Sequence, residues 1–466
     1  MDPLKARILQ DLLGKSDITL SSDQTEALEA FVRFEKQHAE RPAFMLTGSA
    51  GTGKTFMIGL FTELLRKSGY KVVLLAPTGR AAKVITRRTR RLAYTIHHHI
   101  YSPRELISGD VSFELKTNKE EERTVYVVDE ASMIGEESEG LNLLHDLLQY
   151  IFLPEGRHKL ILVGDPVQLP PVGHADSPAL NVKELRKRYD LDVTHAHLTE
   201  VKRQLVDSGV LDNAVLIRDA YTESRTSVEL ETGRDVQVID SPHEAIETYT
   251  GYYEDGNPDR VVFITYSNAF AARVNQAIRN QLLGVPEPLV PSDLVMVVKN
   301  NYVWGDPKRM PFLANGEMGI VRYADPEPEE RYGLKWMDVE LEFQDSRGEP
   351  FMVSCKVNLD LLQNKLPQID RGVMSRIYHE RQQEYQGMPR SKAQELLRTD
   401  PYLNALQIKY GYAVTGHKAQ GGQWENVLIG FERDYGEDPK AYLRWTYTVF
   451  TRAESRVFLL NCPFIS

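Results

Sequence analysis

The sequence predicts an α/β fold made of two parallel-sheet domains, and three observations carry the prediction. Short apolar runs, β-branched or leucine-rich and without alternation, recur at 43–46, 72–75, 125–128 and 160–163. Such runs mark strands covered on both faces, as in parallel sheets. After a gap the series resumes at 261–264, 427–429 and 457–460, so two clusters divide near residue 195. Helical patterns fill the intervals between runs. No repeat of 20–50 residues is visible, which excludes a solenoid.

Two segments interrupt this rhythm. Residues 101–123 turn polar, with a hairpin expected around 111–116. Residues 316–406 carry alternating stretches such as Asp338-Val339-Glu340-Leu341-Glu342-Phe343, in which Val339, Leu341 and Phe343 share one strand face. Charged helices follow at 375–384 and 391–398, separated by Gly387-Met388-Pro389. The reading is a first domain over 1–195 with a small hairpin insert, and a second over 196–466 with a β-barrel insert bearing a helical hairpin. At 466 residues, 42% hydrophobic and 26% charged, the chain has ample material for both cores. Its two cysteines, Cys355 and Cys462, provide no disulfide framework or metal set and suit a reducing cytoplasm. The start Met1-Asp2-Pro3-Leu4-Lys5 lacks a signal-peptide layout, and no apolar run reaches spanning length, so no membrane partner is expected. The net charge of −10 weighs against a nucleic-acid partner for the surface as a whole, yet basic residues can be confined to one groove.

The most informative run is Gly48-Ser49-Ala50-Gly51-Thr52-Gly53-Lys54-Thr55. It fits G-x-x-x-x-G-K-[ST], the loop whose backbone N–H groups cradle the phosphates of a nucleoside triphosphate. Lys54 can reach the β and γ oxygens, and the Thr55 hydroxyl can ligate Mg²⁺. A strand before the loop and a helix after it, from Phe56 to Lys67, point a helix N-terminus at the anion. The run at 125–128 ends in Asp129-Glu130. Behind a phosphate loop, Asp129 is placed for the Mg²⁺ shell and Glu130 to orient and deprotonate the attacking water. Acidic residues complementing a helix N-terminus are the plainer alternative. Gln168, in Gly164-Asp165-Pro166-Val167-Gln168-Leu169-Pro170-Pro171, could report the γ-phosphate through its amide, or belong to an ordinary Asp-Pro turn.

Arg80, Lys83, Arg87, Arg88, Arg90 and Arg91 form a basic run without an acid among them. It follows the carboxyl end of a strand, the edge where open α/β sheets place ligands, though a solvated helix face is the usual reading of such a run. The triplet His97-His98-His99 lacks ligand spacing and companion cysteines, so it is not a metal site. Tyr302 and Trp304 are either a stacking platform or core.

In order along the chain, these segments resemble the motifs of superfamily 1 helicases, in the branch containing RecD and the phage helicase Dda. Asp129-Glu130-Ala131-Ser132-Met133 and the segment 164–170 resemble motifs II and III. Gln24 in Ser22-Asp23-Gln24-Thr25-Glu26-Ala27 is similar to the family's adenine-reading glutamine. Ala76-Pro77-Thr78-Gly79-Arg80-Ala81-Ala82-Lys83 resembles motif Ia, and Thr95-Ile96-His97 the adjoining single-strand contact. Leu198-Thr199-Glu200-Val201-Lys202-Arg203-Gln204 resembles motif IV, Val414-Thr415-Gly416-His417-Lys418-Ala419-Gln420-Gly421 motif V, and Tyr447-Thr448-Val449-Phe450-Thr451-Arg452-Ala453 motif VI. The resemblance runs from Gln24 to Leu460.

It implies two RecA-like domains of the P-loop NTPase class, with ATP and Mg²⁺ in the cleft between them and DNA across their tops. Arg203 and Arg452 would be arginine fingers, Gln168 a γ-phosphate sensor, and Thr78, Arg80, Lys83, His97, Thr415 and His417 contacts to single-stranded DNA. Phe113 would be a strand-separating pin, unless it packs on its own domain. The implied activity is ATP-dependent unwinding of duplex DNA with 5′-to-3′ movement on one strand. A monomer is expected, with replication or repair proteins as candidate partners. The rival from another class is a nucleotide-gated single-strand-binding protein, or a translocase without strand separation.

Overall fold

The structure is a computed structural model. It describes residues 19–105, 111–135, 142–153, 157–201, 208–254, 256–306, 309–310, 312–345, 347–363, 368–432 and 438–465. The first sheet holds six parallel strands: β1 (Pro42–Gly48), β2 (Lys71–Ala76), β3 (Ala93–Thr95), β6 (Thr124–Val128), β7 (Lys159–Gly164) and β8 (Asp192–Leu198), in the order β3-β2-β6-β7-β1-β8. All seven residues of β1 are buried, and so are the whole of β6 and β7. That burial on both faces is why these strands read as unbroken apolar runs. The order sets β6, β7 and β1 side by side, with Val127 beside Ile161 and Phe44 beside the same Ile161. The loops leaving their carboxyl ends therefore converge: the phosphate loop after β1, Asp129-Glu130 after β6 and Asp165 after β7.

The helices Ser22–Lys36 and Lys54–Lys67 lie against this sheet through an aromatic cluster. Phe31 stacks on Phe61 with centroids 4.1 Å apart, and both meet Phe44 of β1 edge-on. Truncating such a buried ring costs about 3–5 kcal/mol, so the phosphate loop hangs between rigid supports. Between β3 and β6, strands β4 (Tyr101–Glu105) and β5 (Val111–Leu115) form an antiparallel hairpin with Pro103 opposite Phe113.

The second sheet is also parallel. It joins β9 (Val236–Ile239), β10 (Val261–Thr265), β17 (Ala413–Thr415), β18 (Trp424–Gly430) and β19 (Ala453–Leu460) in the order β17-β10-β18-β19-β9. These two parallel-sheet units give the α/β architecture of paired RecA-like domains. Into the second is set an antiparallel sheet of β11 (Leu294–Val297), β12 (Met318–Ala324), β13 (Glu329–Arg331), β14 (Leu334–Gln344), β15 (Pro350–Asn358) and β16 (Ile408–Tyr410). It curls on itself: the Leu406 N–H, just before β16, bonds the Lys356 carbonyl of β15 at 2.7 Å. The sheet starts at Leu294, ahead of residue 316, because β11, a wholly buried apolar run, pairs antiparallel with β12 and β16. Helices Arg371–Glu384 and Arg390–Arg398 form the hairpin on it, with Ile377 packed in a cluster with Trp336, Tyr402 and Ala405. Among the described residues no helix is long and apolar enough to cross a membrane.

Candidate nucleotide site and nucleic-acid interface

The phosphate loop turns through Gly51 and Gly53 at φ of 79° and 88°, the left-handed region that favours glycine. A Cβ at Gly53 would lie 2.6 Å from the Gln24 side-chain nitrogen. Gln24 is buried and fully engaged. Its Nε2 donates to the Thr52 carbonyl at 2.9 Å, while its Oε1 accepts the Ser21 N–H in a capping box. The structure thus places the expected adenine reader beneath the loop as a brace. Thr52 donates its hydroxyl to the Ser49 carbonyl at 2.8 Å. Lys54 heads the following helix, Thr55 is next, and the Lys54 ammonium donates to the Gly48 and Ser49 carbonyls at 2.7 and 2.9 Å.

Asp129 and Glu130 stand next to one another at the end of β6. Burial and the neighbouring Glu130 push the Asp129 carboxyl above its ordinary range. Its Oδ1 accepts the Glu130 N–H at 2.9 Å. Glu130 adopts φ 52°, a left-handed conformation that costs a non-glycine residue roughly 1–3 kcal/mol and persists where the surroundings enforce it. Glu130 precedes the short 3₁₀ turn Ala131–Met133, and its carbonyl accepts the Met133 N–H at 3.0 Å. Thr55 and Asp129 are hard oxygen donors, which suit Mg²⁺ held by few protein ligands together with phosphates. Among the described residues no cluster of three or more metal-ligating side chains forms a richer site. Gln168 has a buried Oε1 with no protein partner, so it keeps an acceptor for a group from outside the chain.

The second domain closes over these loops. Arg452 is only 4% exposed, and its Nη1 lies 3.9 Å from Glu130 Oε1. Its Nε donates to the Thr448 carbonyl at 3.0 Å. Arg203 lies outside the described residues. Sequence reasoning missed the contacts of three further residues. Arg218 Nη1 donates to Ser49 Oγ at 3.0 Å. Arg444 donates to the carbonyls of Gln168, Ala175 and Pro166 at 2.7, 2.6 and 2.8 Å. Tyr447 accepts the Ala50 N–H at 2.9 Å. Leu169 is gripped as well: its N–H bonds Thr448 Oγ1 at 2.9 Å and its carbonyl accepts from Gln420 at 2.7 Å. Tyr447 stood within a recognised motif, whereas Arg218 and Arg444 carry no local sequence signal.

The expected DNA-side residues are distributed as follows. Thr78 caps the helix Gly79–Thr89 by accepting the Ala81 N–H at 3.2 Å. Lys83 pairs with the buried Glu317 at 2.6 Å, and a Cβ on Gly79 would collide with that same carboxylate. Arg80 lies 4.1 Å above the Trp424 ring and 3.6 Å from Asp259. Arg87 and Arg88 approach Glu454 at 3.6 and 3.7 Å, and Arg91 pairs with Glu63. The basic helix is therefore clasped by acids of the second domain, around a cleft of about 630 Å³ lined by Arg80, Lys83, Arg87, Arg90, Glu317 and Arg347. His97 packs beside Tyr101, and burial pushes its imidazole down to about 4, which keeps it neutral at physiological pH. Thr415 ends β17 and is buried, while His417, two residues on, is exposed. Phe113 is placed by its strand register alone. Tyr302 stacks on Phe312 at 5.0 Å, and Trp304 donates to the Asn404 carbonyl at 2.6 Å.

Two parallel-sheet units, a phosphate loop and arginines reaching its surroundings from the opposite unit define the architecture of a P-loop NTPase. Comparison with known proteins agrees: residues 19–240 match the AAA domain family and residues 410–460 the UvrD-like helicase C-terminal domain family. An uncharacterised protein of Methanocaldococcus jannaschii is 24% identical over 463 residues, covering 89% of this chain and 36% of its own. The ATP-dependent RecD2 DNA helicase of Deinococcus radiodurans is 31% identical over 195 residues (42% of this chain, 23% of its own). The ATP-dependent DNA helicase Pif1 of a Psychrobacter species is 33% identical over 138 residues (28% and 20%). Over these segments the chain is similar to helicases of superfamily 1B. It spans between about a fifth and just over a third of the length of these relatives. Among solved structures, a Bacteroides Pif1 helicase in complex with ADP-AlF3 and single-stranded DNA aligns with a TM-score of 0.49 at 15% identity, over 96% of this chain and 94% of that one.

Proposed function

We propose that the chain is an ATP-dependent DNA helicase that moves 5′-to-3′ on single-stranded DNA and separates duplex by cycles of closure between its two parallel-sheet domains. The observation that carries the reading is the approach of Arg452, from the second domain, to within 3.9 Å of Glu130 in the first. A binding switch needs neither a strained carboxylate at that place nor an arginine aimed at it.

In this reading Lys54 and the loop N–H groups hold the β- and γ-phosphates. Thr55 and Asp129 would hold Mg²⁺, which neutralises developing charge on the phosphates. Glu130 takes the proton of the attacking water, and the unpartnered Gln168 amide oxygen accepts a hydrogen bond from that water. Arg452, joined by Arg203, stabilises the transferred group, a contribution typically worth ~10³–10⁵ in rate. Arg444, Thr448 and Gln420 bind the 165–169 turn directly to the second domain, so a change at the γ-phosphate moves both domains together. Thr78, Lys83, His97, Thr415 and His417 contact the strand, Lys83 once Glu317 has released it. Phe113 on the hairpin meets the duplex.

The test is ATP hydrolysis with and without a single-stranded oligonucleotide, beside unwinding of tailed duplexes. Oligonucleotide-stimulated turnover with unwinding supports the reading. Nucleotide-dependent strand binding without turnover would instead favour a nucleotide-gated binding protein.

A further inference from the structure

The helix Pro439–Phe450 belongs to the second domain, yet one of its side chains reaches the phosphate loop of the first. The Tyr447 hydroxyl accepts the Ala50 N–H at 2.9 Å and donates to Asp165 Oδ2 at 2.6 Å. Both side chains are buried. Burial and the Asp165 carboxylate hold the phenol well above its ordinary range, so it remains a neutral hydroxyl. Ala50 lies within the eight-residue loop whose backbone N–H groups are the phosphate donors of this motif. One N–H makes one good hydrogen bond at a time. The tyrosine oxygen therefore occupies one of the loop's backbone donors. Its other bond holds Asp165, the first residue of the turn that Arg444, Thr448 and Gln420 fasten to the second domain.

We propose that Tyr447 is a positioning residue that couples nucleotide to the domain junction, its hydroxyl giving up the Ala50 N–H to a nucleotide phosphate. The exchange leaves Tyr447 bonded to Asp165 alone and undoes one tie between the phosphate loop and the second domain. Filling of the loop is thereby reported to the surface that contacts the strand. This rests on the reading of the loop as a nucleotide site. A tyrosine that only fills a core would show no such competition, because its hydroxyl would not share a donor with the ligand.

Two substitutions test it with ADP–Mg²⁺ as the probe. Tyr447→Phe removes the competing oxygen and keeps the ring. Asp165→Asn leaves the hydroxyl but replaces its charged acceptor with a neutral one, which weakens the polarisation that makes the oxygen a good acceptor. ADP affinity is measured for wild type and both variants, each checked by thermal melting, with and without a single-stranded oligonucleotide. Tyr447→Phe should bind ADP about three- to tenfold more tightly, the range of one net hydrogen bond. Asp165→Asn should move in the same direction by a smaller factor. The factor by which ADP alters oligonucleotide affinity, which must equal the reciprocal effect of oligonucleotide on ADP, should shrink toward one in Tyr447→Phe. A folded variant of either kind with ADP affinity equal to or weaker than wild type overturns the proposal, as does an unchanged coupling factor. Should Tyr447→Phe fail to fold, Asp165→Asn decides alone. Absence of ADP binding by the wild type would overturn the nucleotide reading itself, whereas wild-type binding with indifferent variants overturns only the role of Tyr447.

Discussion

Replacing Arg452 with alanine separates a transition-state contact from a structural one. The guanidinium is 4% exposed, donates to the Thr448 carbonyl and to Thr451 Oγ1 at 3.0 Å each, and sits 3.9 Å from Glu130 Oε1. Losing these two bonds and the longer one from Nη1 to the Gly422 carbonyl at 3.5 Å costs about 1.5–4.5 kcal/mol of stability, at about 0.5–1.5 kcal/mol each. Losing a finger costs ~10³–10⁵ in turnover, or about 4–7 kcal/mol of barrier. The kinetic loss should therefore exceed the stability loss. The assay is steady-state ATP hydrolysis at saturating oligonucleotide, with ADP affinity and thermal melting on the same preparation. Nucleotide affinity should stay within severalfold, while kcat falls by at least ~10³. Arg452→Lys should rescue little, because an ammonium lacks the planar fork. A loss confined to ATP affinity, with kcat intact, would refute the reasoning and make Arg452 a ground-state ligand.

Other outcomes follow from the same geometry. Glu130→Gln keeps the shape of the side chain, so nucleotide and DNA should bind while single-turnover hydrolysis falls ~10²–10⁴-fold. Joint neutralisation of Arg87, Arg88, Arg90 and Arg91 should lower the log–log salt slope of single-strand binding by ~0.7 for each phosphate that these arginines neutralise. The fluorescence-monitored titration should show a smaller change if the acids Glu454 and Glu63 keep their partners in the complex. Asp293→Asn strands the buried Arg279, which pairs with it at 2.7 and 3.0 Å. Denaturant unfolding should then show a loss of about 3–5 kcal/mol.

How much of the molecule is legible in the sequence depends on distance along the chain. The phosphate loop is local: its glycines, Lys54 and Thr55 lie within eight residues and take their geometry from neighbouring backbone. Strands β1, β6 and β7 are legible because both faces are buried, which imposes an unbroken apolar run. β11 obeys the same rule inside an antiparallel sheet, which is why its place there cannot be read from its pattern. The junction is largely hidden. Arg444 meets Gln168 across 276 positions with no local signal, and Tyr447, although inside a motif-like segment, meets Ala50 across 397, a contact that nothing local announces. The basic run at 80–91 announces its charge but not its acidic partners, since Asp259, Glu317 and Glu454 come from three separate segments of the second half. Likewise Gln24 reads as an amide open to a ligand, and only the fold shows both of its ends engaged beneath the loop.

The central claim is that hydrolysis in the cleft between Glu130 and Arg452 drives movement along one DNA strand. Unwinding of a duplex bearing a 5′ single-stranded tail, measured beside the same duplex with a 3′ tail, tests it most directly. The account predicts ATP-dependent strand separation on the 5′-tailed duplex, little on the 3′-tailed one, and none with Glu130→Gln. ATP hydrolysis that ignores DNA, with neither duplex separated, would contradict it.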